Sequence, residues 1–415
     1  MSTAAGTRYA AVRSRTEALA APLSAEDACV QAMPDASPAK WHLAHTTWFF
    51  ETFLLKTRDS SYRDFHPAFG YLFNSYYNTV GERHPRPKRG LLTRPSLGEV
   101  LAYRRHVDEA MARLLDTLSV PTELLDLGLN HEQQHQELLL TDLKALFGQN
   151  PLRPAYGGTP LPPGTAAAQA WQAFEGGLAE IGVDGGGFAG GAFAFDNEGP
   201  RHKVFLEPFA LAARPATCGE WLAFMEAGAY RRPELWLSDG WDTVRREGWE
   251  APEYWRHAEG GWRVHTLQGE RAVDPEEVVS HVSGFEADAF ARWMDLEGGC
   301  PGARLPTEFE WEHAAAGQPI AGHFADAGAY HPGPARAGMF GDVWQWTASA
   351  YLPYPRYRPA PGAVGEYNGK FMSGQLVLRG GSCATPADHV RATYRNFFPP
   401  SARWQFTGLR LARTP

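Results

Sequence analysis

Cysteine is scarce in this chain of 415 residues. Cys29, Cys218, Cys300 and Cys383 stand far apart, and no two have CxxC spacing. That excludes a zinc ribbon and a disulfide framework, and it suits a reducing compartment, the cytoplasm. Long apolar runs are missing as well. None approaches the roughly 20 residues that cross a bilayer, so no membrane partner is expected. The opening MSTAAGTRYAAVRSRTEALAAPL has no continuous apolar core and reads as a helix of the fold rather than a signal peptide. Positive charge is in deficit. A formal net charge of −8 argues against nucleic acid as the main partner. No repeat of solenoid period is present.

What is there changes character near residue 150. The first part carries helical patterning over about Thr7 to Ala20. A second helix runs to about Lys56 behind an expected N-cap at Ser37-Pro38, and a third, opened by the capping box Ser96 to Glu99, reaches about Leu118. A fourth starts at Pro121-Thr122 and stops at Gly148. Four helices of this length suit a four-helix bundle over residues 1–148. The excursion 58–95 between the second and third is too long to be idle. Residues 149–175, rich in Pro, Gly and Ala, read as a linker. Residues 176–415 show paired glycines (Gly186-Gly187, Gly190-Gly191, Gly260-Gly261, Gly298-Gly299, Gly380-Gly381) and only short helical pieces, at 285–296 and 306–316. The fold class is therefore α+β with two domains, a bundle followed by an irregular α+β domain.

The chemistry is concentrated in His131-Glu132-Gln133-Gln134-His135-Gln136-Glu137. Residues four apart share a helix face, so His131 and His135 can point at one metal ion. A third imidazole is available from His42 or His45 on the second helix. Three neutral imidazoles without thiolate suit zinc, iron, copper or nickel, and they leave coordination positions open for catalysis. Spacing does not choose between zinc hydrolysis and iron–oxygen chemistry. Glu137 is a candidate for orienting a ligand imidazole.

These residues are similar to a known family. The H-x3-H-x-E run together with Trp41-His42-Leu43-Ala44-His45 resembles the DinB-like domain of ergothioneine-type sulfoxide synthases. The second half resembles the formylglycine-generating-enzyme and sulfatase-modifying-factor domain, which has C-type-lectin-like relatives. Its marks are Arg304-Leu305-Pro306-Thr307-Glu308, Gly341-Asp342-Val343-Trp344-Gln345-Trp346, Leu378-Arg379-Gly380-Gly381-Ser382-Cys383, Tyr394-Arg395-Asn396-Phe397-Phe398 and Gly408-Leu409-Arg410-Leu411. The resemblance implies iron(II) bound by His45, His131 and His135, with O2 as co-substrate. It implies hercynine (trimethylhistidine) as substrate, held by Gln134 and by Asn396, Phe397 and Phe398, with Trp404 as a further aromatic face for the cation. It implies that one or both of Tyr76 and Tyr77 deliver a proton. Arg86, with Arg89 beside it, is implied to clamp the carboxylate of a sulfur donor. The reaction implied is oxidative coupling of cysteine to C2 of the hercynine imidazole.

The chain departs from the pattern in four places. Cys383 has no cysteine partner near the C-terminus, which argues against copper-dependent formylglycine generation. Gly284, Gln345 and Ser373 differ from the usual residues, and smaller side chains there would admit a larger donor. The alternative this raises is a selenoneine synthase that joins a selenosugar to hercynine through a C–Se bond. Two readings from other classes are a zinc hydrolase or transferase acting on a thiol without O2, and a non-catalytic binding protein.

Overall fold

The computed structural model describes residues 4–117, 120–184 and 193–414. It divides into two compact units. One holds Met1–Leu152 with Gly191–Phe193 and Pro359–Gly369, and the other holds Arg153–Gly190, Ala194–Arg358 and Lys370–Pro415.

The first unit is helical. Its elements are α1 (Ala4–Ala20), α2 (Ala39–Phe50), the short α3 (Lys56–Arg58) and α4 (Phe69–Phe73), and the long α5 (Leu97–Thr117) and α6 (Thr122–Gln149). Both α1 and α2 pack against α5 and α6. Every residue of α2 is buried, so it runs through the middle of the unit and its histidines are shielded from bulk water. α6 approaches α2 closely at Gly128, where a Cβ would lie 2.6 Å from the Phe50 ring. Ser96 and Glu99 form the expected reciprocal cap of α5. The expected end of that helix, Leu118, lies outside the described residues, as do the paired glycines at 186–187 and 190–191.

Ser37 is not the N-cap of α2. Pro38 occupies that position without a side-chain bond. The Ser37 hydroxyl accepts from Arg89 at 2.9 Å instead, and its amide donates to Asp142 at 2.7 Å. After Phe50 the chain widens into a π-helical turn, Glu51–Leu55. Glu51 is buried there and accepts hydroxyl hydrogens from Tyr62 at 2.7 Å and Tyr103 at 2.6 Å. A buried carboxylate needs such donors. Deeper in the unit, Glu132 accepts from Arg13 at 2.9 Å, Arg104 at 3.0 Å and Thr16 at 2.7 Å.

Among the described residues the second unit carries four small sheets. β1 (Trp171–Phe174), β4 (Phe209–Ala212), β8 (Ala303–Arg304) and β13 (Ala412–Arg413) form one, in the order β1-β4-β13-β8. β9 (Trp344–Ala350), β10 (Leu376–Arg379), β11 (Asn396–Phe398) and β12 (Thr407–Gly408) form another, in the order β11-β10-β9-β12. β2 (Gly177–Ile181) pairs with β3 (His202–Leu206). β5 (Trp255–Ala258), β6 (Gly261–Thr266) and β7 (Gly269–Ala272) make a meander. The helices α7 (Cys218–Glu226), α9 (Gly284–Leu296) and α10 (Glu308–Ala315) each begin with a capping box, while α8 (Ser238–Glu247) ends on left-handed Gly248.

The segment expected to be a linker is largely part of this second unit. Trp171–Phe174 pairs with β4. Upstream, Tyr156 and Thr159 donate to the carbonyls of Leu267 and Gly328, and Ala167 donates to that of Ala335. Its Pro and Gly content reflects backbone laid against other loops rather than a free tether.

Candidate metal centre

His45 on α2 and His131 and His135 on α6 bring their ligand atoms within 4.8 Å of one another, all three buried. Nε2 of His45 lies 3.2 Å from Nε2 of His131. The cluster is the one group of His, Cys, Asp or Glu among the described residues arranged to hold a metal. Packing fixes each ring. His45 stacks on Trp41 at 4.4 Å and on Trp48 at 5.5 Å, and Phe49 lies 4.7 Å from His131. Burial pushes the His131 imidazole down to about 3. Burial and the neighbouring imidazole of His131 drive His45 and His135 well below the usual histidine range. All three rings are thus neutral at physiological pH, the state a metal requires.

The outer nitrogens differ from ring to ring. Nδ1 of His45 donates to the Phe73 carbonyl at 2.6 Å. Nδ1 of His131 is buried without a hydrogen-bond partner among the described residues. Nδ1 of His135 faces Nδ1 of His42 at 2.8 Å, and Nε2 of His42 meets Asp142 at 3.0 Å. His42 therefore stands behind a ligand rather than in the ligand set. The orienting role expected of Glu137 does not arise in this arrangement, because none of the three outer nitrogens meets its carboxylate.

The excursion after α3 lines the same region. Tyr77 is fully buried, its ring packed on Trp48 at 5.5 Å and Phe53 at 5.2 Å. Burial, with Tyr76 alongside, holds its hydroxyl protonated far above the ordinary tyrosine range. Tyr76 is only half-buried. Its ring lies 4.8 Å from Tyr77 and 6.0 Å from Tyr367. Arg89 is buried with its guanidinium 3.4 Å over Trp41, bonded to the hydroxyls of Ser37 and Ser75. Its Nε has no acceptor among the described residues. Burial, then Arg86 and Arg83, destabilise its charge and push it down to about 8. Arg86, the residue expected to clamp a carboxylate, is exposed and donates to the carbonyl of Asp35.

Sequence reasoning missed Tyr367. It lies in the Pro- and Gly-rich stretch 359–369, which joins the helical unit although its sequence neighbours belong to the other. Its hydroxyl donates to Gln134, its ring is 5.7 Å from His131, and Glu366 beside it accepts from the amides of Asn78 and Thr79. The available signal was a glycine-bounded tyrosine, Gly365-Glu366-Tyr367-Asn368-Gly369, in an otherwise irregular run. Asp142 was missed too, although it lies seven residues after His135 and hence on the same face of α6.

In the second unit, the Asn396 side chain accepts from the Phe397 amide at 2.9 Å, and Phe397 stacks on Tyr351 at 4.1 Å. Phe398 and Trp404 are half-buried and meet edge to face at 5.8 Å. The reasoning that small residues open a donor pocket loses two of its three positions here. Gln345 is fully buried, accepting from Trp311 and Arg410 and donating to the Met339 carbonyl. At Gly284 a Cβ would touch Leu376 at 3.0 Å and the Pro400 carbonyl at 3.4 Å, so no space opens there. Ser373 is exposed.

Comparison with known proteins agrees with this division. The DinB superfamily model matches residues 8–139, and the sulfatase-modifying factor enzyme 1-like domain matches 170–336 and 335–415. The hercynine oxygenase of Mycolicibacterium thermoresistibile is 34% identical, covering 91% of this chain and 88% of its own. That of Mycobacterium tuberculosis is 33% identical over 92% of each. The formylglycine-generating enzyme of Streptomyces coelicolor is 27% identical over 49% of this chain and 78% of its own. No described helix is long and apolar enough to cross a membrane. With a DinB-like helical unit carrying three convergent histidines, joined to a sulfatase-modifying-factor-like unit, the chain belongs to the hercynine oxygenase family of oxidoreductases, the ergothioneine-type sulfoxide synthases.

Proposed function

We propose that this protein uses iron(II) and O2 to couple a sulfur donor, cysteine, to C2 of the hercynine imidazole. The observation that carries the reading is the convergence of three neutral, buried imidazoles with no carboxylate or thiolate among them. Such a set fits iron(II), and His45, His131 and His135 would hold it. When bound, the metal supplies the O2 activation and electron transfer that the side chains cannot. The residues supply position and protons. Gln134 sits one residue before His135 and is suited to hold the hercynine imidazole. Tyr367 bonds to Gln134 and Tyr76 stands beside it, so these two are better placed than packed Tyr77 to give up a proton. Asn396, Phe398 and Trp404 are the proposed holders of the cationic end of hercynine, and Phe397 supports them from its stack on Tyr351. Buried Arg89, one acceptor short, suits the donor carboxylate.

One observation favours a second donor. The expected clamp, Arg86, is turned to the Asp35 carbonyl and exposed. A donor without a carboxylate, such as a selenosugar, has no need of it, and the product would then carry a C–Se bond. The experiment gives the iron-loaded protein hercynine and O2 with cysteine, γ-glutamylcysteine or the selenosugar, reading O2 consumption and product mass. Turnover with cysteine is expected. Turnover with the selenosugar alone replaces the first donor by the second. Activity that persists without O2 on zinc-loaded protein overturns both.

A further inference from the structure

The three imidazoles are alike in burial but not in what stands behind them. His45 gives its outer N–H to a neutral backbone carbonyl, and His131 gives its own to nothing among the described residues. His135 alone faces a second imidazole, and that imidazole faces a carboxylate. The proton positions along this chain follow from simple exclusion. A carboxylate accepts, so Asp142 takes the hydrogen on Nε2 of His42. Nδ1 of His42 then presents a lone pair. The facing Nδ1 of His135 must carry the hydrogen between them, which leaves the Nε2 lone pair of His135 for the metal. In the reverse arrangement His135 would carry its hydrogen on Nε2 and could not be a ligand. Asp142 is itself held by the Ser37 amide at 2.7 Å, and Ser37 is held by Arg89, so the relay has a fixed end.

We propose that Asp142 and His42 are positioning residues that fix the tautomer of His135 and make it the strongest electron donor of the three ligands, with His45 intermediate and His131 weakest. The proposal rests on the metal reading above. Hydrogen-bonding a ligand imidazole to a carboxylate raises its basicity. Here the same effect is passed through one more ring. The consequence is an asymmetric centre whose weakest donor, His131, is the one beside Tyr367.

The test uses the full chain with cobalt(II) and zinc(II) as probes. Asp142→Asn and His42→Phe are expected to weaken cobalt(II) affinity about 10- to 100-fold and to shift its ligand-field bands. Far-ultraviolet circular dichroism should stay unchanged. In the zinc-loaded parent, long-range proton–nitrogen correlation of labelled histidines should find the hydrogen on Nδ1 of His135 and on Nε2 of His42, a readout that does not depend on any variant folding. A hydrogen on Nδ1 of His42, or variants that bind cobalt(II) with parental affinity and spectrum, would overturn the relay while leaving the metal reading in place. A parent that binds neither ion would overturn both.

Discussion

Each unit buries a cluster of polar side chains, and the two clusters are opposites. In the second unit Glu308 accepts from Arg379 at 2.8 Å and from Arg395 at 2.8 and 2.9 Å, with the Tyr354 hydroxyl also at Arg379. Glu312, 2.9 Å from Arg379, is the second carboxylate, so two guanidinium groups meet two carboxylates there. In the helical unit His45, His131 and His135 point nitrogen at nitrogen, each forced neutral by burial. Among the described residues the cluster includes no group of opposite charge. A network closed charge to charge builds a fold. An open one is a site, because what would satisfy it must come from outside.

The contrast breaks most sharply at its largest expected effect. His131→Ala should remove metal binding and reduce turnover to background while leaving a folded protein, read by metal analysis, O2 uptake and circular dichroism. Glu308→Ala should do the reverse. It removes the carboxylate of buried Arg395 and leaves Arg379 with Glu312 alone, and breaking such a network costs about 3 to 5 kcal/mol. Denaturant unfolding should record that loss, while cobalt(II) affinity at the histidines holds. If His131→Ala unfolds and Glu308→Ala does not, the assignment of one cluster to chemistry and the other to architecture is wrong.

A third cluster sharpens the comparison because it is closed yet lies in the helical unit. Burial alone would raise the Glu132 carboxyl, but Arg13 and Arg104 outweigh it and hold it down at about 2. A carboxyl depressed on folding stabilises the native state above its unfolded value. That contribution, on the order of 3 kcal/mol, is lost as pH falls from about 4.5 towards 2. Unfolding free energy measured across this window should fall in the parent. In Glu132→Gln the drop should be smaller, from a lower starting stability. Equal slopes in the two proteins would show that Glu132 is not the titrating group.

How much of this was legible depended on how local the signal was. His131 and His135 share one helix, and a spacing of four states their relation outright. His45 required a second helix, so spacing left it tied with His42, and the tertiary contacts separate ligand from supporter, with His45 against His131 and His42 between His135 and Asp142. Tyr367 was not legible, because its place beside His131 is made by a loop that leaves its sequence neighbours to join the bundle. The motif arginines and glutamates of the second half were legible as a signature but not as a network. Arg379 and Arg395 meet Glu308 across 71 and 87 residues. Arg86 failed for the same reason. A basic run shows which charges are present, while the carbonyl of Asp35, 51 residues away, decides where one of them goes.

The smallest expected effect comes from a change that touches no polar group. Alanine at Gly128 would set a methyl 2.6 Å from the Phe50 ring and 3.1 Å from Phe49. Overpacking of this kind costs about 1 to 3 kcal/mol. Replacing glycine inside a helix returns about 1 kcal/mol, so the net loss should be no more than about 2 kcal/mol. Phe49 also rests on His131, so the push should carry through to the metal site. Gly128→Ala is expected to weaken cobalt(II) binding several-fold, consistent with a ligand displaced by a few tenths of an ångström. Gly284→Ala loads the second unit in a similar way, against Leu376 and the Pro400 carbonyl, and should leave cobalt(II) affinity unchanged. Equal effects of the two on cobalt(II) binding would mean that the histidines respond to general loosening of the protein rather than to the ring packed on them.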